Sequence, residues 1–184
     1  SALRTSFPSH IAEQIELSQK ELNLEQVDYE RSMAAKLKIA KQCFELDIKQ
    51  LLSNADFNNF LNENSSWLKA YAVFCFLRDL FGTAEHWQWG KLAHPTRADI
   101  ERLADSSTEY YDTILFHYYL QYHLHLQLTE ASSYARQRGV VLKGDLPIGV
   151  DRRSVDTWVD PTLFRMDKST GAPPDYFDKN GQNW

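Results

Sequence analysis

The sequence predicts a mainly α-helical chain that gives way, toward its end, to one buried strand and a long loop. Two observations predict it. Apolar residues recur at steps of three and four through most of the chain before residue 139. The residues that break helices are displaced to the end: only Gly82 and Gly90 come before residue 139, while five of the seven glycines and four of the six prolines lie at or after it. A chain of 184 residues has the length of one ordinary domain and can bury a sizeable core. On this reading residues 1–26 are a lead-in segment, 27–138 a helical subdomain, and 139–184 a strand followed by a loop.

From Val27 onward, Tyr29, Met33, Leu37, Ala40, Phe44, Ile48 and Leu51 share one face of a helix about twenty residues long, with Asp28 as the N-cap. A short helix is expected over Asp56–Asn62. Another runs from Ser66 through Trp67, Tyr71, Phe74, Phe76, Leu77 and Leu80 to a stop at Gly82, and it is apolar nearly all round, so it should be buried between neighbours. Pro95-Thr96 opens a short helix through Ile100 and Leu103, and Thr108–Arg138 reads as the longest helix, closed by Gly139. Within it, Tyr122 to Leu128 alternates polar and apolar with the period of a strand, but the flanks continue without a turn signal, so length decides for helix. The distinction bears on function. On a strand His123, His125 and Gln127 would share a face and suggest a metal site, whereas in a helix residues two apart point nearly opposite ways. No metal site is expected, and His117 and Gln121, one turn apart, are expected to make hydrogen bonds within a packed helix.

After Gly139, Val140-Val141-Leu142 is a β-branched, apolar run bounded by glycines, the pattern of a central, fully buried strand. Helix followed by buried strand is the unit of an α/β fold, and in a barrel of such units the residues at the carboxyl ends of strands face the substrate. Asp145 follows this strand directly and reads two ways: it binds a substrate hydroxyl or orients a catalytic group, or it brackets the turn around Pro147 and Gly149. The stretch from Arg165 to Trp184 has no periodic pattern and is long for a compact domain. Its Tyr176, Phe177 and Trp184 are interleaved with Asp175, Asp178, Asn180, Gln182 and Asn183. Such a mixture suits a sugar site, where ring C–H faces stack on aromatics and hydroxyls pair with carboxylates and amides. The alternative is an aromatic-anchored loop that packs on its own domain. Because the chain stops on Asn180–Trp184 with no helix or cap after it, we expect it to be a piece of a larger domain.

Several classes of function are disfavoured. The net charge of −5, with both signs interspersed, offers no basic stripe for a nucleic acid. Cys43 and Cys75 sit in apolar helical patterns without the spacing of a zinc site, which predicts free thiols in a reducing compartment. Neither a bilayer-spanning apolar run nor a signal-peptide order is present, so a cytoplasmic protein with no membrane partner is expected.

Four short motifs then fall in order. Gly144 to Ile148, Ser154 to Trp158, Pro173 to Phe177 and Gly181 to Trp184 match Gly-Asp-hydrophobic-Pro-Ile, Ser-x-Asp/Glu-Val/Thr-Trp, Pro-Pro-Asp-Tyr/Leu-Phe and Gly-Gln-x-Trp. In these the chain resembles the amylomaltases, 4-α-glucanotransferases of the α-amylase superfamily. Trp67–Ala72, Phe116–Tyr118 and Tyr134-Ala135 extend the resemblance back to about Val27. The wording of Gly149–Arg152, Phe164–Met166 and Asp178–Gly181 is closest to the cytosolic disproportionating transglucosidase subtype, in which maltose donates glucose to a glycan acceptor.

The resemblance implies a parent (β/α)8 TIM barrel with helical insertions and a retaining double displacement between α-1,4-glucans, in which a sugar hydroxyl resolves a glycosyl-enzyme. It implies no cofactor, and as partners maltose, maltooligosaccharides and glycogen-like acceptors of starch or glycogen metabolism. The family's catalytic carboxylates lie beyond the position matching Trp184, so no catalytic residue is expected here and the piece alone is expected to be inactive. What carries over is substrate binding: Asp145 in the first block, Pro174, Asp175, Tyr176 and Phe177 in the loop that arches over the cleft, and Gln182 and Trp184 beside it. That loop is expected to shape the acceptor side and to exclude water, which favours transfer over hydrolysis. Arg153 and Asp160 depart from the family wording but lie outside its motifs. The competing reading is a stand-alone helical module that binds glycans or a protein partner without chemistry.

Overall fold

A computed structural model describes residues 8–147 and 149–183. The chain divides into two compact units, Ser1–Phe60 and Leu61–Trp184. The first holds α1 (Ser9–Leu22) and α2 (Tyr29–Leu52), and the division falls inside α3 (Ala55–Phe81). Asp28 caps α2 as expected, its Oδ1 accepting from Arg31 N at 2.9 Å. Asn54 does the same for α3 through Phe57 N at 2.8 Å. The apolar stripe of α2 is only half used: Phe44 and Leu51 are buried, whereas Tyr29, Met33 and Leu37 at its N-terminal end are exposed. Helix α1 packs on α2 and buries Ile11. The sequence reading had no element there, because α1 starts at Pro8 without a side-chain cap and its apolar residues are few.

The second unit is built on the rest of α3 together with α4 (Arg97–Leu103), α5 (Tyr111–Gln137) and α6 (Val155–Val159). The two helices expected over 56–62 and 66–80 are one continuous helix of 27 residues, as long as α5. The polar run between them contains no glycine or proline, and its side chains bond along the helix: Ser65 Oγ donates to Asn62 O at 3.0 Å and Trp67 Nε1 to Asn64 Oδ1 at 3.0 Å. Gly82 ends α3 with φ +66°. The apolar middle of α3 is buried as expected, with Leu68, Ala72, Val73, Phe74, Cys75 and Leu77 all in the core.

Helix α4 starts with a reciprocal capping box. Thr96 Oγ1 accepts from Asp99 N at 3.1 Å, and Asp99 Oδ2 accepts from Thr96 N at 3.0 Å. The Thr96 donors hold the Asp99 carboxyl down at about 2. Helix α5 carries the alternating segment Tyr122–Leu128 as helix, as length had indicated. It buries Ile114, Leu115, His117, Tyr118, Tyr119 and Tyr122. Desolvation raises the Tyr118 phenol well above its ordinary value and brings Tyr71 on α3 to about 12. His117 Nε2 lies 3.9 Å from the Asp79 carboxylate. Cys75 is buried and Cys43 half-buried, and both are free thiols.

One expectation fails. Val140-Val141-Leu142 is not a buried strand: the run is irregular, and its residues are 54%, 88% and 60% exposed. A central strand needs a partner on each side to satisfy its N–H and C=O groups. Among the described residues the strands are β1 (Gly171–Ala172) and β2 (Gln182–Asn183), and these pair with each other. The mainly helical character holds; the strand does not. No helix among the described residues is long and apolar enough to cross a membrane.

Candidate functional site

The four motifs of the sequence have different fates in the second unit. The first leads nowhere regular, since Asp145 stands exposed on the irregular run 140–147. Ile148 and Trp184 lie outside the described residues. The second motif goes inside. Ser154 caps α6, Thr157 is fully buried and Trp158 is 1% exposed. Trp158 Nε1 donates to Leu92 O at 2.7 Å, and its ring meets those of Phe74 and Trp89, each at a centroid distance of 5.7 Å. Trp89 in turn donates to Thr83 O at 3.1 Å. His86, 4% exposed, lies edge-on to Trp89, with Nε2 3.1 Å from Arg152 O.

The third motif lies in the turn of a hairpin whose second strand belongs to the fourth. β1 and β2 are antiparallel, with Gly171 opposite Asn183 and Ala172 opposite Gln182. Between them Pro173-Pro174 leads into a turn braced by carboxylates. Asp175 Oδ1 accepts from Phe177 N at 2.9 Å and Asp178 N at 2.7 Å, while Asp175 N donates to Asp178 O at 2.9 Å. Asp178 Oδ1 then accepts from Asn180 N at 3.0 Å, and Gly181 N donates to Asp178 O at 3.2 Å. Gly181 has φ +72°, and a Cβ there would come within 2.7 Å of Ala172 O, so only glycine closes the turn.

With the backbone held this way, Tyr176 and Phe177 point outward, 90% and 93% exposed, their rings edge-to-face at 5.5 Å. Pro174, Asp175 and Gln182 are also exposed. The structure thus brings Pro174, Asp175, Tyr176, Phe177 and Gln182 together on one hairpin, while Asp145 lies on the separate irregular run 140–147.

Beside the stem lies a cleft of ≈ 1030 Å³ whose lining includes Glu85, Trp87, Asp151, Arg153, Arg165 and Lys168. Arg153 pairs with Asp151, its N at 2.8 Å and Nε at 3.3 Å from Oδ1. This pairing holds the Asp151 carboxyl below its ordinary value. Trp87 is 49% exposed at this cleft. Sequence reasoning missed it; the dense run His86-Trp87-Gln88-Trp89 was the available signal. Among the described residues no group of three His, Cys, Asp or Glu side chains could hold a metal ion.

Residues 2–184 match the 4-alpha-glucanotransferase family. The chain belongs to that family. It is similar to 4-alpha-glucanotransferase DPE2 of Oryza sativa subsp. japonica, 55% identical over 183 residues that cover 100% of this chain and 19% of that protein. The 4-alpha-glucanotransferase of Synechocystis is 34% identical over 172 residues, 86% of this chain and 33% of its own length. That of Chlamydia muridarum is 31% identical over 173 residues, 92% of this chain and 32% of its own. The chain therefore spans between 19% and 33% of the length of these relatives. The family expected from the four motifs is the one found, and its similarity extends through the helical part as well.

Proposed function

We propose that this chain is the helical section and acceptor-side loop of a 4-α-glucanotransferase that moves glucosyl or maltooligosyl units between α-1,4-glucans by retaining double displacement. One observation carries the reading: two aromatic rings are held almost wholly in water by a turn whose own hydrogen bonds are satisfied. Leaving such rings exposed forgoes about 1.5–3 kcal/mol each relative to burial, so their presentation calls for a ligand. A glucan supplies C–H faces for Tyr176 and Phe177 and hydroxyls for Gln182 and Asp145.

The proposal extends to the parent. Its (β/α)8 barrel supplies the strands that Val140–Leu142 lacks, its catalytic carboxylates come from beyond this chain, and it works in the cytoplasm on maltose, starch or glycogen. The test incubates the full-length protein with maltose and a glycogen-like acceptor while free glucose and glycan chain length are followed, with this chain alone as control. Glucose release that requires acceptor and accompanies chain growth, absent from the control, is the expected result. No redistribution by the full-length protein would overturn it and leave a binding module as the better account.

A further inference from the structure

A ladder of two residue pairs is too short to hold its own position, since even a complete two-stranded hairpin is marginal in water. The orientation of Tyr176 and Phe177 therefore depends on what grips the stem below it. The residues leading directly into β1 are Lys168, Ser169 and Thr170, and two features of one short segment meet them. Arg152 Nη2 donates to Lys168 O at 2.7 Å and to Ser169 Oγ at 3.3 Å. Three residues earlier, a Cβ at Gly149 would lie 2.7 Å from Thr170 Oγ1, so the missing side chain leaves room for the Thr170 side chain to pack on the Gly149 backbone.

Arg152 is itself tied to the interior. Its carbonyl accepts from Thr157 Oγ1 at 2.9 Å and lies 3.1 Å from His86 Nε2, and both of those side chains are buried. A continuous set of bonds thus runs from the tryptophan core, through Arg152, to the root of the hairpin. The neighbouring Arg153 takes no part, because its guanidinium turns back to Asp151.

We infer that Gly149–Arg152 is a clamp on the stem of the aromatic loop, with Arg152 the positioning residue that sets where Tyr176 and Phe177 meet an acceptor glycan. The acceptor role rests on the function proposed above; the clamp does not. Arginine suits the task because its charged fork reaches a carbonyl and a hydroxyl together, and a charge-assisted bond of this kind is worth about a factor of ten or more in an equilibrium.

The experiment uses the full-length protein and reads two quantities: amide hydrogen exchange over residues 170–183, and the acceptor KM against kcat. In Arg152→Ala, exchange over the hairpin is expected to rise about tenfold, and acceptor KM to rise by a similar factor with a smaller change in kcat. Arg152→Lys should recover part of both, since an ammonium still reaches the Lys168 carbonyl. Arg153→Ala removes the same charge from the same cleft and should leave hairpin exchange at the wild-type rate. Wild-type exchange in Arg152→Ala, or equal acceleration in Arg153→Ala, would overturn the clamp. If Arg152→Ala fails to fold, Arg152→Gln and Gly149→Ala, which presses a methyl group on Thr170, give the same reading of the stem. A protein without any glucan transfer would remove the function proposed above, and exchange would still decide the clamp.

Discussion

Two aromatic clusters of the second unit make opposite use of the same chemistry. Phe74, Trp89 and Trp158 are buried, and both indole N–H groups are bonded to backbone carbonyls, of Thr83 and Leu92. Tyr176 and Phe177 are exposed, and around them the backbone, not the rings, does the holding. Trp158 in the first cluster and Tyr176 and Phe177 in the second all belong to motifs that carry the family resemblance, so motif membership alone does not tell an exposed aromatic from a core one. Burial and the destination of the polar atoms do. The Ser154–Trp158 motif places its ring in the core; the Pro173–Phe177 motif leaves its rings in water.

The comparison breaks most visibly at Trp158. Trp158→Ala removes a ring that is 1% exposed and strands the Leu92 carbonyl, so chemical denaturation should show a loss of about 3–5 kcal/mol. Trp158→Phe, which keeps a ring but loses the donor, should cost about 1 kcal/mol.

A pH titration of stability sharpens the same contrast. Burial pushes His86 below its ordinary value of 6.5 against the pull of the Arg152 and Ala93 backbones, with repulsion from His94 a smaller addition. A base depressed by folding binds more protons when unfolded, so its contribution is present above about pH 6.5 and is lost as pH falls through the lower folded value. The denaturation midpoint should therefore drop from pH 7 toward 5, and His86→Gln should flatten that slope.

The smallest stability effect is expected at the hairpin tip. Tyr176→Ala and Phe177→Ala should each change stability by less than about 0.5 kcal/mol, while weakening maltooligosaccharide binding to the full-length protein about tenfold, as read by calorimetry. A large loss of stability in either variant would show that the loop packs where the structure leaves it free.

How far the sequence disclosed this arrangement follows the range of the interactions. Helices α2, α4 and α5 were legible because their signals are local: Asp28 and Thr96 as caps, a three-and-four period, and Gly139 as a stop. The single helix α3 was read as two because a polar run at 62–66 resembles a break, although it lacks any residue that forbids helix. Val140–Leu142 had the composition of a buried strand, but a strand is a property of its neighbours, and pairing partners cannot be read from the run itself. At the candidate site the mixture of aromatics, carboxylates and amides pointed to 175–184, but not to the hairpin that holds most of it. The grip of Arg152 on Lys168 was invisible, since its acceptor is a backbone carbonyl that every residue possesses.

The exposed run 140–142 also bears on how such a chain survives its own synthesis. Three β-branched or aliphatic residues in water are a nucleus for cross-strand association between copies, the more so while neighbouring segments are still emerging. Charges stand on both flanks, Arg136 and Arg138 before the run and Lys143 and Asp145 after it, with Pro147 close behind. Like charges stacked in register repel and proline cannot join a ladder, so these flanks act as gatekeepers. Asp145, read above as a sugar ligand or a turn residue, thereby gains a further reason to be acidic.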